Sequence, residues 1–367
     1  MRTDPSEAMR IAREFSLGGE VVSVEPFGGG HINDTFRVGV ERRGLLRRHI
    51  LQRINDHVFP EPDRLMENME RICAHALSRL ARPGEEADRR ALRLIPATDG
   101  RNWLVDAAGG RWRCLDYLEG TTGFDIVSSP AQAYQAARAF GGFQAMLADL
   151  PGGRLHETIP DFHHTPKRYA RFLAAVERDA VGRLASSGPE VAFALARATE
   201  VSVITDALAD GSLPERVTHN DAKLGNVLLD DVTHEAVCVI DLDTVMPGSA
   251  LYDFGDLVRT SASAAKEDEQ DLAQVSLRMP MFEALVRGYL SSAGGFLTSR
   301  EKALLPFAGK LITFETGLRF LTDWLEGDRY FKTHRPGHNL DRARNQFRLV
   351  ASIEAQLAAM RECVARA

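Results

Sequence analysis

Three polar side chains between Val217 and Asp243 have the types and spacing that phosphoryl-transfer chemistry needs. Asp221 falls in the short loop His219-Asn-Asp-Ala-Lys-Leu-Gly-Asn226, and Asn226 follows it by five residues. Asp241 ends the apolar run Val237-Cys-Val-Ile240, which reads as a strand. A carboxylate at Asp221 can orient an attacking hydroxyl and take up its proton, so Asp221 is at once the catalytic and an acceptor-binding candidate. The Asn226 carbonyl and the Asp241 carboxylate are hard oxygen donors of the kind Mg²⁺ takes on nucleotide phosphates. A solitary loop Asp is more often a turn residue or a helix cap. Three such residues in this order favour catalysis.

An Asp, an Asn five residues on and then a metal-binding Asp is the order of roles in the protein-kinase catalytic loop. Asp243 shares a face with Asp241 if the strand continues, as a second metal contact or a network partner. Asp253-Phe-Gly255 spells the kinase metal triplet, yet it follows Pro247-Gly248 rather than a strand. Asp253 therefore reads as a helix cap or a buried partner of the catalytic loop. His219 reads as a buried hydrogen-bonding residue, not as a base.

The elements that must position these groups change character along the 367 residues. Residues 5–17 show helical spacing and stop before Gly18-Gly19. Strand patterns follow at Val21–Phe27, Thr35–Val40 and His49–Ile54, then a helix over 61–82, then short strands at 91–97, 102–106 and 112–118. Strands with one helix among them suit an antiparallel sheet, not parallel βαβ units. After residue 119 the chain turns helical: 130–150, 165–184, 189–209, 252–263, 281–292, 299–325 and 339–366. The expectation is an α+β, two-lobed fold: residues 1–119 as a small antiparallel-sheet lobe that binds nucleotide, and 120–367 as a larger helical lobe with the catalytic loop.

The residues Gly29-Gly-His-Ile-Asn-Asp34, Ile50-Leu-Gln-Arg-Ile-Asn55, His219–Asn226, Val239–Gly248, Tyr252–Asp256, Gly317–Asp323 and Gly327–Phe331 together carry a family likeness. The chain resembles the aminoglycoside phosphotransferase and choline kinase superfamily, and within it the bacterial N-acetylhexosamine 1-kinases. That resemblance implies a protein-kinase-like fold, with Gly29 and Gly30 in a loop over the ATP phosphates and His31 and Asn33 helping to form the sugar site. It implies that Arg319 and Tyr330 bind the N-acetyl sugar, although periodicity alone leaves Arg319 on a solvated helix face. The superfamily's strand Lys has no obvious counterpart. Arg53, always charged and able to grip phosphate with two nitrogens, is the candidate replacement, paired with Glu67 or Glu70. The segment Asp116-Tyr-Leu-Glu119, through Asp116 and Leu118, would offer backbone groups to adenine.

Several classes are set aside by composition. Lys and Arg number 45 against 51 Asp and Glu, so the net charge of −6 implies no general attraction to nucleic acid. Four scattered cysteines without a C-x-x-C pair read as reduced thiols. The polar start Met1-Arg-Thr-Asp reads as no signal peptide, and no apolar run suits a membrane span. His163-His164 and His334/His338 lack a convincing third zinc ligand. The resulting expectation is a cytoplasmic enzyme without an obligate protein partner. It would use ATP with Mg²⁺ to phosphorylate the anomeric hydroxyl of an amino sugar, GlcNAc or GalNAc. The rivals are a kinase of the same fold acting on choline, homoserine, an aminoglycoside or another sugar, a non-catalytic nucleotide- or sugar-binding regulator, and, last, a protein kinase.

Overall fold

The computed structural model describes residues 3–28, 32–80, 89–124 and 126–367. Helix α1 (Pro5–Ala12) starts on the Asp4 side chain, which accepts the Ser6 N–H, with proline in the first turn. Strands β1 (Glu20–Pro26), β2 (Asp34–Arg42) and β3 (Leu45–Arg53) form a meander, followed by helix α2 (Pro62–Leu80). Short strands β4 (Leu94–Ile95) and β5 (Trp103–Val105) precede β6 (Arg111–Asp116). Among the described residues these strands make one antiparallel sheet in the order β1-β2-β3-β6-β4, with β5 also on β6.

The chain then leaves the sheet. Strand β7 (Thr121–Gly123) pairs with a strand far along the sequence, and the helices α3 (Pro130–Leu147), α4 (Thr165–Arg178), α5 (Gly188–Leu195) and α6 (Val203–Ala209) follow. The single helix expected over 189–209 is thus two. Between them Thr199, Val201 and Ser202 are poor helix formers, and the Arg197 guanidinium turns back to the Phe193 carbonyl and out to Glu354.

Two small ribbons interrupt the helices. Strand β8 (Arg216–Thr218) pairs antiparallel with β11 (Met246–Gly248), and β9 (Val227–Asp230) pairs with β10 (Ala236–Val239) and β7. Helices α7 (Ala250–Ser261), α8 (Met279–Ala293), α9 (Ser299–Glu326) and α10 (His338–Arg366) complete the chain. Helix α9 opens with a reciprocal cap between Thr298 and Glu301. No helix among the described residues is long and apolar enough to cross a membrane.

Three apolar clusters hold this together. One, with Ile11, Phe36, Leu51 and Trp112, lies between α1 and the outer face of the sheet. The largest runs from α2 (Leu65, Met69) into the helices (Phe140, Leu251, Phe282), so sheet and helices share a core. The third joins α4, α9 and α10 through Phe172, Leu318 and Phe347. Helices α3 and α8 approach so closely that a Cβ on Gly288 would sit 2.2 Å from the Tyr134 carbonyl oxygen. Gly288→Ala should therefore force the helices apart and cost about 1–3 kcal/mol. Urea denaturation should show a lower midpoint at unchanged slope; parental stability would mean that the contact yields freely.

Candidate active site

The two ribbons bring the loops 219–226 and 240–245 side by side. The Ile240 N–H donates to the Asn226 carbonyl at 2.9 Å, and His219 Nε2 donates to the Ile240 carbonyl at 2.9 Å. His219 Nδ1 is left to accept the Asp221 N–H at 3.3 Å, and its ring packs edge-on against Phe140 and Phe143. His219 is fully buried and acts as the rivet between the loops.

The backbone at Asn220 and Asp241 is left-handed, with φ of 64° and 61°, which Asn and Asp tolerate better than other residues with a side chain. Buried Asp253, in the first turn of α7, holds the first of these turns by accepting the His219 and Asn220 N–H groups at 2.9 and 2.6 Å. The Gln144 amide donates to the same carboxylate at 2.5 Å. Asp253 therefore shapes the 219–226 loop from behind. The Asn220 side-chain amide ties the turn further to the Thr218 and Thr244 carbonyls.

Asp221 Oδ2 accepts from Lys223 Nζ at 2.8 Å and from Asn226 Nδ2 at 3.0 Å. Burial acts to raise its pKa, but the Lys223 ammonium and the Asn226 amide outweigh that and hold the carboxyl below the usual carboxylate range. Asp241 goes the other way. It is exposed to the cleft, but the surrounding protein limits its solvation, and the Asp243 and Asp221 carboxylates add like charge. Together these push it up to about 6. Lys223 has its own pKa raised: Asp221 and Asp241 outweigh the burial that would lower it. Lys223 is thus the cation of the carboxylate cluster. Its position two residues after Asp221 was the available signal, and no role was read from it.

These residues fit a divalent cation. The Asn226 amide nitrogen is turned to Asp221, and its Oδ1 accepts no hydrogen bond among the described residues. The Asp241 carboxylate accepts none either, and the crowding that raises its pKa is relieved by positive charge. No cluster of three or more His, Cys, Asp or Glu ligands occurs among the described residues. Few protein ligands, with phosphate completing the shell, is how Mg²⁺ is commonly held beside a nucleotide.

The small-sheet side of the cleft differs from the expectation. Arg53 lies opposite Trp112 in the β3–β6 register, and residues directly opposite share a face. Its guanidinium lies over Gly110, whose Cβ would be 2.8 Å from Nε, with Asp106 near by. Arg53 is therefore on the α1 side of the sheet, away from the carboxylates. Neither proposed partner pairs with it: Glu67 binds His156 at 2.9 Å and Glu70 accepts from Asn102 at 3.2 Å.

The inward face of the same strand pair carries Gln52 and Arg113. Arg113 is 1 % exposed, donates to Gln52 Oε1 through Nε and Nη2, and forms a 2.5 Å ion pair with Asp243, itself 3 % exposed. Asp243 also accepts from Asn33 Nδ2 at 2.6 Å, while Asn33 Oδ1 accepts the Asn55 N–H at 3.0 Å. The amide of Asn33 is thus committed to the junction of sheet and catalytic loops. Asp243 is a network partner, as one of the two readings of it allowed. Arg113 escaped sequence reasoning; the signal was a charged residue at an inward position of the apolar strand Trp112-Arg-Cys-Leu115.

Gly29, Gly30 and His31 lie outside the described residues. Asp116 ends β6 within 3.7 Å of His49 and Arg93, and Leu118 is buried just beyond it, where the chain crosses from the sheet to the helices.

Arg319 and Tyr330 do come together. The Asp323 carboxylate near the end of α9 accepts the N–H groups of Arg329, Tyr330 and Phe331 at 2.8–2.9 Å, which folds that segment back over the helix. Gly327, at φ 94°, makes the reversal. The Arg319 guanidinium carbon then lies 5.9 Å from the Tyr330 ring centre and 5.7 Å from that of Phe162. Next to Phe162, His163 bridges Glu315 (2.8 Å), one turn before Arg319 on α9, and the Asn220 carbonyl (3.1 Å), so α9 is tied to the 219–226 loop one residue before Asp221.

Solved structures share this architecture. An aminoglycoside phosphotransferase from Alicyclobacillus acidocaldarius superposes with a TM-score of 0.62 at 14 % identity, over 100 % of this chain and 98 % of that one. A choline kinase from Cryptosporidium parvum gives 0.58 at 12 % identity, over 97 % of each chain. A spectinomycin phosphotransferase solved with ADP and spectinomycin gives 0.55 at 9 % identity, over 95 % of this chain and 100 % of that one. At these identities the likeness establishes the kinase-like fold. The sequence itself matches the model of the phosphotransferase enzyme family across residues 23–294, and the chain belongs to that family.

Proposed function

We propose that the protein transfers the γ-phosphoryl group of ATP to the anomeric hydroxyl of an N-acetylhexosamine, GlcNAc or GalNAc, giving the sugar 1-phosphate. The observation that carries this reading is the link between the Asp221 loop and helix α9: His163 bonds the Asn220 carbonyl and Glu315, one turn before Arg319, which meets Tyr330. An arginine donates to hydroxyl and carbonyl oxygens, and an aromatic ring packs on an apolar sugar face.

Asp221, held ionised, accepts the proton of the sugar hydroxyl and aims its oxygen. Lys223 sits beside it to offset negative charge. Mg²⁺, held by Asn226 and Asp241, would neutralise charge developing on the phosphates. Arg113 and Asn33 hold Asp243, two residues from Asp241, and so set the small sheet over the loop. Rate comes from positioning and charge neutralisation, with no covalent enzyme intermediate. The crossing at Asp116–Leu118 would offer backbone groups to adenine. The four buried free thiols suit a reducing compartment such as the cytoplasm.

An ADP-release screen over sugars, choline, homoserine and aminoglycosides tests this, followed by locating the phosphate on the product. A cationic acceptor is disfavoured by the arginines around Tyr330. Arg319→Ala should raise the sugar KM by about 10–100-fold, the worth of hydrogen bonds from a charged donor. The nucleotide KM should hardly move; the reverse pattern would reject this pocket as the acceptor site.

A further inference from the structure

The pocket holds more positive charge than a neutral sugar uses. Arg168 and Arg171 on α4 and Arg319 on α9 line, with Tyr330, one pocket of about 350 Å³ that is partly open to solvent. Arg171 already has a partner: it donates to Glu326 at 2.5 Å, and Arg178 binds the same carboxylate. Asp323, on the cavity wall, is occupied by three backbone N–H groups and the Asn339 amide. Glu315, behind the wall, is bound to His163 and Thr165.

Arg168 and Arg319 are left over. Arg319 makes no hydrogen bond to any described residue; it has ring contacts with Phe162, Tyr330 and Phe331, and the buried Glu315 carboxylate as a neighbouring charge. Arg168 gives one bond, Nη2 to the Phe162 carbonyl at 3.1 Å, and its Nε is buried without an acceptor. Burial, and then the nearby Arg319 charge, lower the Arg168 pKa. A buried donor without an acceptor and two like charges both cost free energy until an anion joins them. The planar fork of a guanidinium matches a carboxylate with two parallel bonds.

We propose that, among N-acetylhexosamines, the pocket prefers one carrying a carboxylate, which lodges between Arg168 and Arg319. This rests on the Arg319–Tyr330 cavity being the acceptor pocket. Tyr330, more than half exposed at the rim, covers the ring, and the carboxylate takes the inner, cationic end.

The test uses the full chain with N-acetylglucosamine and its uronic acid, N-acetylglucosaminuronate. Calorimetric binding and kcat/KM are measured for both at low and high salt. The acidic sugar should be preferred about 10–100-fold, the worth of charge-assisted bonds, and salt should shrink the ratio. Arg168→Gln should remove most of the preference, and Arg168→Lys, which keeps the charge, should retain part of it. Equal or better binding of the neutral sugar, binding of neither, or an Arg168→Gln protein with parental melting temperature and unchanged ratio would each overturn the inference. If neither sugar is phosphorylated, the proposed reaction fails while the binding ratio still decides the acidic pocket. The parental ratio also stands alone should the variants not fold.

Discussion

Asp221→Asn should fold with parental stability and lose phosphoryl transfer by about 10²–10⁴-fold, the usual worth of a positioned general base. The substituted amide keeps an oxygen for the bonds now made by Lys223 and Asn226. Lys223 retains Asp241 and Asp256 as neighbouring negative charges, so no cation is stranded. What disappears is the proposed acceptor of the substrate hydroxyl's proton. Because the carboxyl is held below its ordinary range, the parent carries this base ionised throughout neutral pH, and raising the pH cannot rescue the variant. Single-turnover rates with saturating ATP and sugar check this, alongside melting curves. Near-parental turnover would remove Asp221 from the mechanism.

Arg113→Met should be the most damaging change outside the catalytic loops. The substitution removes one half of an ion pair whose members are 1 % and 3 % exposed, leaving Asp243 buried with only the Asn33 amide. Breaking such a pair from one side costs about 3–5 kcal/mol, because the remaining charge is neither solvated nor matched. Adding Asp243→Asn removes the stranded charge and should recover a good part of that loss. Activity should stay low in the double variant, since the contact that seats the sheet over the Asp241 loop is gone. Urea denaturation and kcat/KM across the four proteins of the cycle separate the two effects. Additive stabilities would show that Arg113 and Asp243 are not coupled. Parental activity in the double variant would confine the pair to a structural role.

Local chemistry made much of this protein legible. Turn residues, helix starts and period-two patterning are properties of short stretches, so the sheet-then-helix order and most element positions could be read along the chain. Asp221, Asn226 and Asp241 could be singled out because loop, spacing and the end of an apolar run are also local. The exclusion of Asp253 from the metal site followed from its following Pro247-Gly248, and the structure puts its carboxylate on the His219 and Asn220 N–H groups.

Sidedness was not legible. Strands β3 and β6 are covered on both faces, by α1 with its cluster on one and by the catalytic loops on the other. Alternation then says which residues share a face, not which face looks into the cleft. Arg53 and Arg113 were equivalent until the register set Arg53 beside Trp112 and Gln52 beside Arg113. The partners of charged groups were hidden for a related reason: Arg113 and Asp243 are 130 residues apart, and Glu67 takes a histidine 89 residues away. The broken helix over 189–209 shows a long-range contact, Arg197 with Glu354, acting where local propensity was weak. The sequence by itself determined which groups could do chemistry and the order of elements that carries them. The tertiary structure alone decided which cation faces the carboxylates and that three arginines share one pocket beside Tyr330, because both depend on non-local register and packing.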